Sequence, residues 1–281
     1  MEINWFPGHM AKALRDVQNA LKKVDMVIET CDARIPRSSR NPVLDEIINN
    51  KPRILVLNKA DLAEDEITRQ WISEFESHNL KAISLIGTKM TDAKDLKKEC
   101  LSLCSEKIER ALNKGRLIRP IRAMVVGIPN TGKSTIINTL SKRKIAATSD
   151  RPGVTRSPQW VRTDDQLELM DMPGVLWPKI DEREGQILLA ATGAIKDTVV
   201  DGIEVAYELM MIISRLNPQS LKERYKIDFE EVSGYDAFLL AAKKRGCILS
   251  GGRIDEERFA ALFLDEIRAG VLGKISFERP N

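Results

Sequence analysis

The sequence predicts an α/β protein of two domains: a mainly parallel sheet with helices on both faces, then a smaller domain made only of helices. Short apolar runs alternate with helical patterns in the first part of the chain, and only helical patterns follow Pro178. Such alternation is typical of parallel sheets, whose strands are joined by crossover helices. The length of 281 residues also suits two domains. We therefore predict one domain over 1–177 and a second over 178–281.

Each element of this prediction follows from a local pattern. Apolar runs predict parallel strands, and helical spacing predicts helices between them. Two further short runs, four residues apart, predict an antiparallel hairpin. The last helix has Asp255 as its N-cap and closes near Gly270. The predicted strands are 26–30, 54–57, 82–86 and 123–126, the hairpin is 159–162 with 167–170, and the helices before it are 10–23, 42–50, 65–77 and 92–114.

Composition excludes several classes of protein. A hydrophobic content of 43% with 30% charged residues is not that of a disordered or fibrous chain. No apolar stretch is long enough for a membrane span, and the first residues lack the pattern of a signal peptide. We therefore expect a cytoplasmic protein without membrane contact. We also expect no disulfide and no zinc site from the four cysteines Cys31, Cys100, Cys104 and Cys247.

Charge is unevenly distributed along the chain. The formal net charge is only +3, yet residues 107–156 carry twelve basic and two acidic residues, a net charge of +10. A concentration of this kind is the electrostatic footprint of a polyanionic ligand. An ordinary solvated face of lysines and arginines is the alternative.

A glycine-rich turn follows the fourth predicted strand and precedes a helix. From Gly127 to Ser134 it matches G-x-x-x-x-G-K-[ST]. In this motif the backbone wraps phosphates so that amide N–H groups converge on them at a helix N-terminus. Lys133 is predicted to bind the β- and γ-phosphates, and Ser134 to bind Mg²⁺. The other predicted nucleotide contacts here are Asn130, Thr131, Gly132 and Thr135.

Two loops supply further candidates beside the phosphates. Asp171 and Gly174 belong to a D-M-P-G sequence after the second hairpin strand. Asp171 is predicted to hold the hydration shell of Mg²⁺, and Gly174 to donate its amide to the γ-phosphate. Thr155, in the loop 150–156, can complete the Mg²⁺ shell. A plain connecting loop is the alternative for that segment.

The sequence N-K-A-D at 58–61 predicts guanine specificity. It lies at the carboxyl end of a predicted strand, the edge at which ligands bind in open α/β sheets. Asp61 can accept hydrogen bonds from the N1–H and the exocyclic amine of guanine, and adenine leaves such a carboxylate unpaired. Lys59 is expected along the base plane, Asn58 against the phosphate loop, and Ser84 at the base edge.

The order of these motifs is unusual, because the guanine motif precedes the phosphate loop. In this order the chain resembles a circularly permuted GTPase. Further short sequences accompany the motifs, and the full set of segments is 5–10 (W-F-P-G-H-M), 32–36 (D-A-R-I-P), 58–61, 127–134, 151–155, 176–178 and 193–197. Through these segments the chain is similar to the bacterial ribosome biogenesis GTPase A (YlqF) family along nearly its whole length. Met172, Leu85 and Thr131 depart from the usual pattern, and none removes a proposed ligand.

The resemblance implies a GTPase that binds GTP and GDP with Mg²⁺ and acts late in assembly of the large (50S) ribosomal subunit. It implies weak intrinsic hydrolysis that ribosomal particles stimulate, and a helical C-terminal domain that touches ribosomal RNA. Such a protein binds the precursor particle, its rRNA and ribosomal proteins, in the GTP state and leaves after hydrolysis. We expect the free protein to be monomeric. Candidate RNA contacts are Arg116, Arg119, 142–144, 222–226, 243–245 and Arg253.

Val175 occupies the position at which Ras-like enzymes have the glutamine that orients water, so another group must orient the water here. His9 is our candidate for that group. The alternative is that His9 is a hydrogen-bonded histidine of a turn.

Asn130 carries a separate hypothesis. It resembles the asparagine of potassium-stimulated GTPases, and K⁺ beside the phosphates would supply positive charge. The alternative is a hydrogen bond within its own loop.

Two other classes of protein are alternatives to a GTPase. A phosphate-loop kinase of a small molecule would share 127–134, but it would not explain the sequence N-K-A-D at 58–61. An RNA-binding module with a vestigial nucleotide site is the other. Residues 178–281 hold 15 basic and 18 acidic residues, so RNA contact there needs local clusters. The intact Lys133, Ser134 and Asp171 argue against a vestigial site.

Overall fold

The computed structural model describes residues 9–48, 51–116, 119–143, 157–177, 180, 182–229, 231–232 and 234–280. They form two compact units. The larger unit contains the described residues up to 177 together with 278–280, and the smaller contains 180–277.

The larger unit is built on one six-stranded sheet. The strand order is β3-β2-β1-β4-β6-β5, and all neighbours are parallel except the antiparallel pair β5–β6. The predicted parallel strands and the hairpin are thereby confirmed. Their bounds are β1 Met26–Asp32, β2 Arg53–Asn58, β3 Lys81–Leu85, β4 Ile121–Gly127, β5 Gln159–Arg162 and β6 Leu167–Asp171.

Helices cover both faces of this sheet, as the continuous apolar strands require. On one face α1, α2 and α3 pack against odd-numbered positions of β1, such as Val27 and Cys31. On the other, α4, α5 and α6 pack against Met26 and Ile28. The bounds are α1 His9–Leu21, α2 Pro42–Ile48, α3 Asp65–Ser77, α4 Met90–Leu103, α5 Ser105–Leu112 and α6 Lys133–Ser141.

The prediction of a single helix over 92–114 was wrong. The segment forms two helices, α4 and α5, which meet at Cys104. Cys104 leaves helical geometry at φ −105°, ψ 9°. The break keeps its thiol buried and leaves Ile108 of α5 packed on the same core cluster as Cys100. Packing on the sheet, rather than apolar spacing alone, sets where α4 ends.

The described residues of the smaller unit form helices and an isolated antiparallel bridge between Ile248 and Ile254. Asp255 caps its last helix by accepting a hydrogen bond from Arg258 N at 3.1 Å, as predicted. Gly270 follows that helix at φ 72°. The bounds are α7 Arg183–Ala191, α8 Gly202–Leu216, α9 Pro218–Tyr225, α10 Gly234–Lys244 and α11 Glu256–Arg268.

A buried carboxylate organises this unit. Glu266 accepts hydrogen bonds from the hydroxyl of Tyr225 at 2.7 Å and from Arg245 at 2.9 Å, and it also pairs with Arg224. Arg268 donates to the carbonyls of Ala190 and Ala191 at the end of α7. These contacts satisfy polar groups that would otherwise be costly to bury.

The four cysteine thiols are free and buried. No helix within the described ranges is both long enough and apolar enough to cross a membrane.

Candidate nucleotide-binding site

The motif-bearing strands end at one edge of the sheet. Asn58 ends β2, Gly127 ends β4 and Asp171 ends β6. Because β2, β1, β4 and β6 run parallel, these three carboxyl ends share an edge. Open α/β sheets bind ligands at this edge.

Two glycines allow the phosphate loop to lie close to its neighbours. A Cβ at Gly127 would approach the carbonyl oxygen of Thr30 to 2.5 Å. Gly132 has φ +84°, and a Cβ there would approach Nδ2 of Asn58 to 2.1 Å. A side chain at either position would collide with the sheet, so the close approach of this backbone depends on glycine.

Asn58 joins the phosphate loop to the loop after β3. Its Nδ2 donates to the carbonyl of Thr131 at 2.8 Å, and its Oδ1 accepts from the backbone N–H of Gly87 at 2.8 Å. The hydroxyl of Thr131 lies 2.6 Å from that of Thr30 and donates to the carbonyl of Ile128. The side chain of Thr131 is therefore fixed against strand β1.

Lys133 is the first residue of α6, and its side chain lies within the loop. Its Nζ donates to the carbonyl of Ile128 at 2.7 Å, and the residue is only 7% exposed. Burial lowers the pKa of Lys133 to about 8, against the opposing attraction of buried Asp171. Ser134 and Thr135 follow on the first turn of α6 and are half-buried.

The guanine motif forms a tight turn after β2. Lys59 has φ 60°, and exposed Asp61 lies in the short 3₁₀ turn Ala60–Leu62. Ser84 lies in β3, beside Leu57 in register, and is exposed.

Two residues beside this turn, Asp32 and Arg34, belong to the segment 32–36, for which the sequence predicts no role. Asp32 ends β1 next to Asn58, and its Oδ2 lies 3.2 Å from Nζ of Lys59. Arg34 donates to both oxygens of Asp32 at 2.9 and 2.8 Å. Burial would raise the pKa of Asp32, but Arg34 and Lys59 outweigh it and hold that pKa well below its ordinary value. Spacing along the chain gives no signal for the contact of Asp32 with Lys59, because the register of β1 with β2 creates it.

The D-M-P-G segment lies against the phosphate loop. A Cβ at Gly174 would approach the backbone nitrogen of Pro129 to 2.8 Å, and Val175 N donates to the carbonyl of Gly127 at 3.2 Å. The side chain of Val175 is buried in the cluster under α1. Nδ2 of Asn41, a residue that sequence reasoning missed, donates to the carbonyl of Val175 at 2.9 Å.

Some predicted residues cannot be placed in this geometry. Thr155 lies outside the described residues. His9 begins α1, but its side chain is outside the described part of the structure. Asn130 is described, and its backbone adopts the left-handed conformation at φ 61°.

Comparison with known proteins agrees with this geometry. A family profile described as "50S ribosome-binding GTPase" matches residues 122–237. Together, fold and motifs define a P-loop GTPase, an enzyme that hydrolyses GTP, with its motifs in permuted order. Over 280 residues the chain is 47% identical to the ribosome biogenesis GTPase A of Bacillus cereus, covering 100% of this chain and 95% of that protein. The chain belongs to the ribosome biogenesis GTPase A (YlqF) family and is a GTPase of ribosome biogenesis.

Two solved structures share this fold. The GDP-bound structure of TM YlqF and the GNP-bound YlqF from T. maritima each have a TM-score of 0.69 and 28% identity to this chain. The first comparison covers 94% of this chain and 98% of the neighbour, and the second covers 96% and 99%.

Proposed function

We propose that this GTPase is a nucleotide-controlled switch in late maturation of the large (50S) ribosomal subunit. In the GTP state it binds the precursor particle through rRNA, and it leaves after hydrolysis, acting as a monomer in the cytoplasm. One observation carries the proposal: the segment 171–177 lies against the phosphate loop and continues along the chain directly into the helical unit. A loop ordered by the γ-phosphate in this position would act on that unit.

The roles of the phosphate-side residues follow from their chemistry. Backbone amides of 130–135 bind the phosphates, with the ammonium of Lys133 at the β- and γ-phosphates and the amide of Gly174 at the γ-phosphate. The hydroxyls of Ser134 and Thr155 and the carboxylate of Asp171 are the oxygen ligands that Mg²⁺ prefers, so this donor set suits the ion. When bound there, Mg²⁺ neutralises charge on the β- and γ-phosphates.

Base recognition is assigned to Asp61, with Lys59 along the base plane, Ser84 at its edge, and Asn58 holding the phosphate loop. Competition of GTP against ATP for the protein tests this assignment. GTP should displace a labelled GDP and ATP should not. Equal displacement by ATP would favour the rival kinase class.

Water activation is assigned to His9, because the buried apolar Val175 has no group that can orient water. We expect His9→Ala to lower kcat and leave GDP affinity intact. Unchanged turnover in the presence of ribosomal particles would exclude this role and place the catalytic group on the particle. Weak intrinsic hydrolysis that the particle stimulates belongs to the same proposal.

A monovalent cation is proposed beside Asn130, with K⁺ supplying charge to the transition state. Replacing K⁺ by Na⁺ in a hydrolysis assay should slow turnover. The same rate with both ions would leave Asn130 as a loop-forming residue only.

The central experiment is sedimentation of the protein with large-subunit precursors. With a non-hydrolysable GTP analogue the protein should co-sediment, and with GDP it should remain in the supernatant. Equal sedimentation in both states would contradict the switch. Hydrogen exchange over 175–200 should also differ between the two nucleotide states, and identical protection would contradict the coupling through that segment.

A further inference from the structure

A basic groove lies at the edge of the sheet opposite the nucleotide site. It has a volume of about 480 Å³ and is bordered by α5, the turn after it, and the starts of β1 and β4. Because the P-loop follows the end of β4, a groove at the start of β4 is separated from the phosphates by the length of that strand. Its charged lining residues are Lys107, Arg110, Lys114, Arg116, Arg119 and Asp25.

The one carboxylate among these lining residues fixes part of the positive charge in place. The Asp25 side chain is 4% exposed and accepts from Nη1 and Nη2 of Arg119 at 2.9 and 2.8 Å. It also pairs with Lys107 and accepts from the backbone N–H of Arg122 at 2.9 Å. Arg119 and Lys107 remain about half exposed. The buried anion therefore orients two cations while leaving them accessible.

The remaining cations face solvent. Arg110 makes a fully surface pair with Glu106, and such pairs contribute little. Lys114 and Arg116 are exposed, and no carboxylate of the described residues pairs with either. With five cations to one anion, the groove suits a chain of phosphates.

An exposed aromatic ring lies beyond the start of β4, on the face of the sheet opposite to α5. The guanidinium of Arg122 lies over the ring of Trp160 on edge strand β5, 5.1 Å from its centroid, and Trp160 is 39% exposed. The backbone N–H of Arg122 binds Asp25 of the groove, and its guanidinium also pairs with Glu168 at 2.8 Å. Unpaired bases stack on exposed aromatic rings beside arginine. The side chains of an acidic peptide have no planar ring that could stack in this way.

We infer that single-stranded RNA binds here, with the groove holding its phosphates and the strand passing around the start of β4 so that a base stacks on Trp160. This inference rests on the proposed function and adds to it a site on the GTPase domain. Arg119 is one of the RNA contacts that the sequence predicts, and the structure adds that Asp25 fixes the position of its guanidinium. Since the groove and the phosphate loop lie at opposite edges, RNA and GTP can bind together.

The test measures binding of a labelled oligouridylate of about 12 nucleotides over a range of salt concentrations. Lys114→Ala with Arg116→Ala should weaken binding and reduce the slope of log Kd against log salt by about 1.4, because each phosphate contact on a single strand contributes about 0.7. Trp160→Leu should weaken binding about tenfold with the slope unchanged. The matched control is Lys94→Ala with Lys98→Ala, two exposed lysines of α4, which should change neither quantity. GDP affinity should be the same in all four proteins.

Two results would overturn the inference: a groove variant that keeps the wild-type slope and affinity, or a polyglutamate of equal charge that binds as tightly as the oligouridylate. Failure of the proposed function looks different. In that case the wild-type protein does not sediment with precursor particles at all, whereas a wrong groove assignment leaves sedimentation intact in both the wild type and the groove variant.

Discussion

A single residue can depend on a partner far along the chain, and Lys59 is the example in this site. The turn that carries it is encoded locally by N-K-A-D. The position of its ammonium is set by Asp32 at 3.2 Å, and Asp32 is in turn held by two side-chain hydrogen bonds and one backbone hydrogen bond from Arg34. We expect Asp32 to act as a positioning residue for the guanine side of the site.

Replacing Asp32 by Asn should therefore weaken GDP binding about tenfold, because the amide keeps the shape of the side chain but cannot hold the ammonium of Lys59 by charge. At saturating GTP, kcat should be unchanged. A double-mutant cycle with Lys59→Met separates positioning from folding: once Lys59 is truncated, Asp32→Asn should cost no further affinity.

Glu29→Gln is the control for this prediction. Glu29 is another buried carboxylate of β1, paired with Arg40 and Arg53 but not with the motif. Its loss should lower the melting temperature and leave GDP affinity unchanged. Additive losses for Asp32→Asn and Lys59→Met would contradict the positioning role.

The lowered pKa of Lys133 should make nucleotide affinity depend on pH. Burial lowers its pKa to about 8, and bound phosphates raise the pKa of a neighbouring ammonium. Nucleotide binding then takes up a proton above pH 8, so the Kd for GDP should rise with pH there, by at most about tenfold per pH unit. Calorimetry in buffers of different ionisation enthalpy measures this uptake. Lys133→Arg, which stays charged, should abolish it; the same pH dependence in that variant would assign the proton to another group.

At the scale of elements, the contact between the D-M-P-G segment and the phosphate loop depends on a missing side chain. A methyl group on Gly174 would lie 2.8 Å from Pro129 N and 2.9 Å from its Cα. The backbone must shift to admit it, and the segment would move away from the phosphates.

Gly174→Ala should accordingly lower the affinity for a GTP analogue more than the affinity for GDP, since the proposed contact of this segment is with the γ-phosphate. Gly202→Ala is the matched control. Gly202 begins α8, and apart from its chain neighbours and the backbone of its own helix no atom lies within 4 Å of its added Cβ, so this change should stabilise the protein slightly, by about 0.5 kcal/mol. Equal loss of both nucleotides in Gly174→Ala would point to general disruption of the loop.

Element patterns in the sequence predicted most of this architecture, and their one clear error is informative. Side-chain spacing predicts the strands and helix α3, because the apolar residues of each element recur at the spacing of its buried face. Spacing does not predict the break at Cys104, since the residues on both sides of it continue a helical pattern. Packing of α4 and α5 on the sheet decides it.

On the scale of the whole molecule, the chain end contributes to the larger unit. The carboxylate of Glu278 accepts from the backbone N–H of Arg37 at 2.6 Å and of Ser38 at 3.0 Å. Nε1 of Trp71 donates to its carbonyl at 3.2 Å. No motif in the sequence marks this tail, because its partners, two backbone N–H groups and one indole N–H, lie more than 200 positions earlier.

Glu278→Ala should lower the stability of the larger unit by about 1–2 kcal/mol, because two backbone donors lose a charged acceptor. Thermal unfolding followed by tryptophan fluorescence measures the change. Arg279→Ala removes only an exposed pair with Glu64 at 3.8 Å and should cost less than about 1 kcal/mol. Similar losses in the two variants would show that the carboxylate has no special role.

By itself, the sequence determined which chemistry this protein carries: a phosphate loop, a guanine motif, their permuted order, and the elements that bear them. These are local patterns, in which residues a few positions apart share a turn, a helix face or a strand. The sequence predicted Asn58 against the phosphate loop, and the tertiary structure decided that its partner there is Thr131, 73 positions away. Only the tertiary structure decided that Asp32 holds Lys59 and that Asp25 holds both Lys107 and Arg119. Such pairs arise from strand register and side-chain packing, and no spacing along the chain encodes them.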